Sequence, residues 1–446
     1  MRPVPCDLLI HSAAQLLTLA GGPQRGPRLG QLGLVRDGAV AITDGRVVAA
    51  GPTVKMRLAY KPRQTLHAGG RVVMPGFVDP HTHVVWAGDR ANEFEMRLAG
   101  KSYMEIMAAG GGIMSTVRQT RAASVGQLVR ETRVRLGRML AHGTTTVEAK
   151  TGYGLETASE LRMLAAIEQL AAEGPWTLVP TFIGAHAVPA EYAGRAEAFV
   201  DLVVDEMLPA VREWRHSPGA SVVRGVPVFC DVFCEEGAFT VAQSRRILER
   251  GRALGFGLKI HADEFAGLGG TALAVELGAA SADHLVFTPE ADITALGSSE
   301  TVAVALPGTP FGLGQKEYTP ADKILAAGGL LALASDLNPG TTWCESMQMV
   351  LALACRYLRL TPAQAIAAAT INAAKAVNLD SRVGSLEPGK LADVLILEVA
   401  DYRHLGYRYG ANLVSTVLKA GQIVIAEGVA RQEAGNQMAE GGELPF

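Results

Sequence analysis

The middle of the chain alternates short apolar runs with amphipathic stretches. The stretches at residues 123–143, 157–174 and 240–255 carry apolar side chains at spacings of three and four, and each has a glycine at its end, which predicts helices. The apolar runs lie at residues 72–83, 144–154, 176–186, 226–236, 256–264, 280–287, 301–308 and 330–340. Eight such strands alternating with helices predict an α/β fold, a parallel sheet closed into a (β/α)8 TIM barrel.

The two ends of the chain have a different pattern, in which short strands are separated by turns. Asp44 and Gly45 stand between two apolar runs, a strong signal for a β-hairpin, and Ala420 and Gly421 mark a similar turn near the C-terminus. Because the ends share this pattern, we expect them to form one small composite β-sandwich domain. The predicted division is residues 1–73 and 379–446 for this domain and 74–378 for the barrel.

Length and composition limit the classes of function. The 446 residues suit a barrel with an appended domain, and 48% are hydrophobic. A net charge of −3 gives no general attraction to nucleic acid or to acidic lipid. Neither a signal peptide nor an uninterrupted apolar run of about 20 residues is evident. We therefore expect a cytoplasmic enzyme with a small-molecule substrate, no nucleic-acid partner and no membrane span.

The five cysteines are few and widely spread, which suits a reducing compartment. Cys230 and Cys234 lie four residues apart on a predicted strand. That spacing corresponds to about 13 Å, too far for a disulfide or a shared metal. We expect both to be ordinary buried cysteines.

Nearly every predicted barrel strand ends in polar residues. The carboxyl ends of the strands form one face of a barrel, where its active sites lie, so these side chains are expected to converge. They are His81, His83, Tyr153, His186, Glu235, Glu236, His261, Glu264, His284, Asp336 and Asn338.

A metal site is the first chemistry that this set suggests. Residues two apart on a strand point to the same side, about 6.5 Å from each other, so His81 and His83 can bind one ion. The His-x-His pattern alone is a weak signal, but His261 and Asp336 end other strands and strengthen it. Three nitrogen ligands and one carboxylate suit zinc or iron, and the sequence does not choose between them.

Several stretches resemble the amidohydrolase superfamily, namely "PGFVDPHTH", "HADE", "SADHL" and "ASDLNPGT". Others are similar to the branch that hydrolyses imidazolone propionate, namely "WAGDRANEFEMRLAGKSYMEI", "EAKTGYGL", "FIGAHAVP" and "VFCEEGAF". The resemblance runs from about Gly76 to Ala376. It implies hydrolysis of the cyclic amide C–N bond of imidazolone propionate to N-formimino-L-glutamate in histidine degradation, one divalent metal, either zinc or iron, and a possible homodimer.

The resemblance also implies roles for individual residues. The metal ligands would be His81, His83, His261 and Asp336. Asp336 would also move the proton of the attacking water, with His284 and Glu264 as further catalytic groups. Substrate contacts would come from Arg90, Tyr153, His186, Glu264, Asn338, Gly340 and Thr341, with Tyr103 as a looser candidate.

Other interpretations remain open from the sequence. His186 could be a core histidine, Arg90 a surface residue and Tyr153 a packing residue. Lys150 resembles the bridging lysine of two-metal relatives but lies on the second strand rather than the fourth, which favours one metal. A deaminase or another cyclic amide hydrolase could share the four ligands, and a non-catalytic relative would be marked by the loss of one.

Overall fold

The computed structural model describes residues 2–101, 105, 111–223 and 225–426. Eight parallel strands form one sheet in chain order. Each predicted apolar run contains one of them, so the barrel prediction is confirmed. The strands are β6 Phe77–Asp79, β7 Thr144–Lys150, β8 Thr177–Ala185, β9 Phe229–Cys234, β10 Gly257–Ala262, β11 Ser281–His284, β12 Val302–Ala305 and β13 Leu330–Leu333.

The barrel closes between its first and last strands, just beyond their carboxyl ends. Thr82 and Leu337 form a parallel bridge. The backbone N–H of His83 donates to the carbonyl of Leu337 at 2.9 Å, and that of Asp336 donates to the carbonyl of His81 at 3.2 Å. The histidine pair and Asp336 are therefore neighbours in the backbone.

Helices surround the barrel, and the three predicted from spacing are confirmed at Val125–Ala141, Thr157–Glu173 and Val241–Ala253. Capping side chains fix the N-termini of two of these helices. The Ser124 hydroxyl accepts a hydrogen bond from the backbone N–H of Gln127, and Thr240 forms a capping box with Gln243. The other α-helices within the described residues are Thr53–Ala59, Ala91–Leu98, Ile113–Ala122, Ala196–Leu202, Leu208–His216, Gly270–Leu277, Glu290–Gly297, Gly308–Leu313, Ala321–Ala326, Met347–Tyr357, Pro362–Ala368, Ile371–Ala376 and His404–Tyr407. Among the described helices, none is long and apolar enough to cross a membrane.

The remaining strands come from both ends of the chain and form a second sheet of eight strands. Its strands are β1 Val4–Leu17, β2 Leu34–Thr43, β3 Arg46–Pro52, β4 Tyr60–His67, β5 Val72–Pro75, β14 Val394–Leu397, β15 Val414–Lys419 and β16 Gln422–Ala426. Antiparallel pairing of β5 with β14 joins the two ends, as predicted. Both predicted turns are present, because β2 pairs with β3 and β15 with β16 in antiparallel hairpins.

One predicted strand is divided between the two sheets. The run at residues 72–83 was expected to be a single barrel strand, but Val72–Pro75 pairs with the terminal sheet and Phe77–Asp79 with the barrel. Gly76 lies at the division, where a Cβ would come within 2.3 Å of the Thr145 hydroxyl oxygen. The close approach of the two sheets therefore requires a residue without a side chain.

Candidate metal and substrate site

Four side chains at the carboxyl end of the barrel form a group that we call the metal cluster: His81, His83, His261 and Asp336. Each is at most 3% exposed. His83 Nε2 lies 3.3 Å from His261 Nε2, and His81 Nε2 lies 3.5 Å from Asp336 Oδ1. The rings of His81 and His261 are 4.4 Å apart. The structure thus brings together all four ligands predicted from the sequence.

The chemistry of this cluster fits a divalent metal. Nε2 of His81 is buried and has no hydrogen-bond partner, an arrangement that proteins normally avoid. Burial, reinforced by neighbouring cationic groups, holds the pKa of His81 and His83 well below the usual range, so both imidazoles are neutral and can offer a lone pair to a metal. Three imidazoles and one carboxylate are a donor set typical of zinc or iron.

The backbone at the site lies in a conformation that costs energy. Asp336, His284 and Asp263 have φ angles of 54°, 80° and 53°, in the left-handed region that non-glycine residues rarely adopt. Such residues cluster at functional sites, where the surrounding structure holds them in place. Asp263 is held by bonds to the side chains of Thr271 and Thr288.

Two predicted catalytic groups lie beside the metal cluster. His284 Nε2 is 3.6 Å from Glu264 Oε2, and the rings of His284 and His261 are 5.3 Å apart. Burial raises the pKa of Glu264 well above its usual value and lowers that of His284 well below. Burial also raises the pKa of Asp336 to about 6, although a hydrogen bond from Thr309 opposes the shift.

Glu235 has a role that the sequence did not reveal. Although it stands at the end of a strand, it is only 3% exposed. Its Oε2 accepts the backbone N–H groups of Glu264 and Phe265 at 3.0 and 2.9 Å. Glu235 therefore fixes the turn that carries Glu264.

His186 and Tyr153 also reach the cluster. The His186 ring stacks on that of His83 at 4.6 Å, with 12° between the planes, and its Nδ1 lies 3.0 Å from the carbonyl oxygen of Gly152. Burial lowers the pKa of His186 to about 3. The Tyr153 ring is 5.7 Å from His83, and burial raises the pKa of its hydroxyl. Tyr103 lies outside the described residues.

A second group, the Arg90 cluster, consists of Arg90, Glu93, Arg97 and Gly340. Arg90 donates from Nε and Nη2 to Glu93 Oε2 at 2.9 and 2.7 Å. Its Nη1 lies so close to Gly340 that a Cβ there would be 2.3 Å away. Arg97 donates to the carbonyl of Gly340 at 3.0 Å. Arg90 is therefore not an isolated surface residue, since its side chain is held between Glu93 and the loop after β13.

Asn338 connects the two clusters. Its Nδ2 donates to the carbonyl of Asp336 and to the Thr341 hydroxyl, at 2.8 and 2.9 Å. Its Oδ1 accepts the backbone N–H groups of Gly340 and Thr341, both at 2.8 Å. The amide of Asn338 thus shapes the loop that carries Gly340 and Thr341.

Beneath the metal cluster lies a layer of charged side chains, here called the charged layer, whose assembly was not predicted from the sequence. Its five members, each 0% exposed, are Glu148, Lys150, Asp231, Lys259 and Asp283. Barrel interiors are usually filled by branched apolar side chains, so an ionic layer is unusual. A signal was present in the sequence, because Lys259 stands two positions before His261 and shares its face of the strand.

Comparison with known proteins gives the family. The profile of the Amidohydrolase family matches residues 72–424. The chain belongs to this family. An imidazolonepropionase from Herpetosiphon aurantiacus is 57% identical over 94% of this amidohydrolase and 97% of the relative. An imidazolonepropionase from Chloroflexus aggregans is 52% identical over 94% and 99%.

Solved structures show the same fold at much lower identity. An adenosine deaminase from Xanthomonas campestris with bound zinc has a TM-score of 0.67 and 20% identity, and covers 97% of this amidohydrolase and 95% of its own chain. The guanine deaminase of E. coli has a TM-score of 0.68 and 16% identity, with coverage of 94% and 99%. These likenesses support the fold alone.

Proposed function

We propose that this amidohydrolase is an imidazolonepropionase, which hydrolyses imidazolone propionate to N-formimino-L-glutamate in histidine degradation. The observation that carries the proposal is the connection between a metal cluster and a cationic Arg90 cluster through Asn338. The first supports amide hydrolysis, and the second supports recognition of a substrate carboxylate. Curated relatives of this name, which match nearly the whole chain, support the same substrate.

The residues of the metal cluster provide the hydrolytic chemistry. A bound zinc or iron would be held by His81, His83, His261 and Asp336, and would lower the pKa of a bound water to about 7. Asp336 is suited to take a proton from the attacking water and transfer it to the ring nitrogen that leaves. The water oxygen joins the carbonyl carbon as the C–N bond of the ring breaks, and His284 would hydrogen-bond the oxygen that gains charge.

Other groups would position the substrate. His186 and Glu264 would hydrogen-bond the ring, whose N–H and C=O groups need an acceptor and a donor. Arg90 would bind the propionate carboxylate with the donors that Glu93 leaves free, and Tyr153 would close the space between ring and tail. Asn338, Gly340, Thr341 and Tyr103 complete the proposed contacts.

We expect one metal ion per chain. The groups of side chains that could hold an ion in the described structure overlap, since each contains His81 or His261, and one of them, His81 with Glu148 and Asp283, reaches into the charged layer. The ammonium groups of Lys150 and Lys259 lie 3.0 and 3.1 Å from Glu148 Oε2 and already compensate the charge of that carboxylate. Metal analysis of washed, active protein measures the number of metal ions per chain. Two equivalents per chain in such a sample would contradict the single-metal proposal.

The decisive test is turnover of imidazolone propionate by the purified protein, with the metal content measured in the same sample. Product is expected only from metal-loaded protein, and removal of the metal by a chelator should abolish turnover reversibly. The structural neighbours include deaminases, so adenosine and guanine serve as comparison substrates. Faster release of ammonia from either one than ring opening of imidazolone propionate would reject the proposal in favour of a deaminase.

A further inference from the structure

The charged layer beneath the metal cluster is continuous. Lys150 Nζ lies 2.6 Å from Asp231 Oδ2, 3.0 Å from Glu148 Oε2 and 3.8 Å from Asp283 Oδ2. Lys259 Nζ lies 3.1 Å from Glu148 Oε2 and 3.6 Å from Asp283 Oδ2. Two cations and three carboxylates are thus held in contact without solvent, where an unpaired charge would be very costly.

Two of the three carboxylates extend upward to the metal cluster. Asp283 Oδ2 is hydrogen-bonded to His81 Nδ1 at 2.7 Å, whereas Asp231 Oδ2 lies 3.0 Å from His261 Nδ1 without the alignment of a hydrogen bond. Each contact is made by the ring nitrogen opposite the Nε2 atom that faces the cluster. An imidazole whose Nδ1–H donates to a carboxylate has its lone pair on Nε2, and its ring can rotate less.

We propose that Asp231 and Asp283 are positioning residues for the metal ligands. We further propose that Lys150, whose ammonium lies between them, fixes the position of one carboxylate relative to the other. Asp283 fixes the tautomer and orientation of His81 through their hydrogen bond, and Asp231 orients His261 through the contact with its Nδ1. Because the Lys150 ammonium contacts both carboxylates, the two histidines are aligned together rather than independently. The inference rests on the metal site of the proposed function, but not on the identity of the substrate.

Glu148 offers a matched control. Like Asp231, it is fully buried and contacts Lys150, but its other hydrogen bonds in the described structure come from Lys259 and from Thr181, at 3.1 and 2.5 Å. None of these bonds reaches a metal-cluster histidine. Replacing Asp231 or Glu148 by its amide keeps the size of the side chain. In both variants the charged layer is left with two cations and two carboxylates.

The test measures zinc affinity by competition with a chromogenic chelator. Asp231→Asn and Asp283→Asn are each expected to weaken zinc binding by about 10- to 100-fold, as is typical for the loss of a carboxylate behind a histidine ligand. Glu148→Gln should remain within about threefold of the wild type, although it loses an ion pair of the same kind. Thermal unfolding of the metal-free proteins should show similar losses of stability in Asp231→Asn and Glu148→Gln.

Two results would overturn the inference. One is an affinity of Asp231→Asn equal to that of the wild type, and the other is an equal loss in Glu148→Gln, which would indicate a general effect of charge or stability. If a single variant does not fold, the double variant Lys150→Gln/Asp231→Asn removes both partners of the ion pair together and must show the same loss of zinc affinity. Because zinc binding is measured without substrate, failure of the proposed function would be seen separately, in the turnover assay.

Discussion

The metal cluster and the Arg90 cluster are close in the chain but differ in construction. His81 and His83 follow a barrel strand and are at most 2% exposed, and His81 is supported from beneath by the buried carboxylate of Asp283. Arg90 lies seven residues further on, before the helix Ala91–Leu98, and 16% of its side chain is exposed. The ends of barrel strands carry the metal cluster, whereas the start of a helix and the loop after β13 carry the Arg90 cluster.

This difference indicates how metal binding and substrate recognition are divided between parts of the fold. A metal requires ligands fixed to within a fraction of an ångström, which strands and a packed layer can supply. Substrate choice can be altered by changing loops, without disturbing the ligands. We therefore expect changes in the metal cluster to abolish the chemistry for every substrate, and changes in the Arg90 cluster to affect only substrates that carry a carboxylate.

The largest effect is expected for Asp336→Asn. The amide cannot accept the proton of the attacking water, so kcat should fall by about 10²- to 10⁴-fold. The loss should be equal for imidazolone propionate and for an analogue without the carboxylate, because Asp336 does not contact the tail. Steady-state kinetics on both substrates, with metal content measured in each sample, provide the check. A variant with full metal and near-normal kcat would mean that Asp336 is not the base.

The next effect is expected for Arg90→Met, which keeps much of the apolar stem and removes the charge. Loss of one partner of a buried charge pair costs about 2–5 kcal/mol. At about 1.4 kcal/mol per tenfold change, kcat/KM for imidazolone propionate should fall roughly thirty-fold to several thousand-fold. The analogue without the carboxylate should lose little, and the metal content should not change. An equal loss for both substrates would show that Arg90 does not recognise the tail.

The convergence of His81, His83, His261 and Asp336 had a clear signal in the sequence, whereas their role as metal ligands stays a prediction. Strand geometry places His81 and His83 on one side, and barrel closure brings strand ends together whatever their separation in sequence. Asp231 gave no such signal, since one aspartate in an apolar strand has many possible explanations. Its contacts with His261 and Lys150 depend on the register between β9 and β10 and on packing across the barrel, which no local pattern contains.

The residues of the loop after β13 show a different limit of prediction from sequence. Asn338 and Gly340 were predicted as substrate contacts, and those roles remain predictions. The structure adds that Asn338 uses its amide within its own loop and that Gly340 makes room for Arg90. Glu93 stands three residues after Arg90, a spacing that favours an ion pair at the start of a helix, so this partner could have been predicted.

The smallest effect is expected for Gly340→Ala, which tests whether the Arg90 cluster acts as a unit. The new methyl group would lie 2.3 Å from Arg90 Nη1 and 3.0 Å from Cζ, so the guanidinium must move. Misplacement of a binding group by about 1 Å can cost up to about 100-fold, but the end of an arginine side chain can partly adjust. We therefore expect KM for imidazolone propionate to rise about tenfold, with kcat nearly unchanged. The same substitution in the Arg90→Met background should have almost no effect, because the group that it displaces is absent. Four kinetic measurements complete this double-mutant cycle. If Gly340→Ala raises KM equally in both backgrounds, Gly340 acts independently of Arg90, and its proposed contact with the substrate becomes the better explanation.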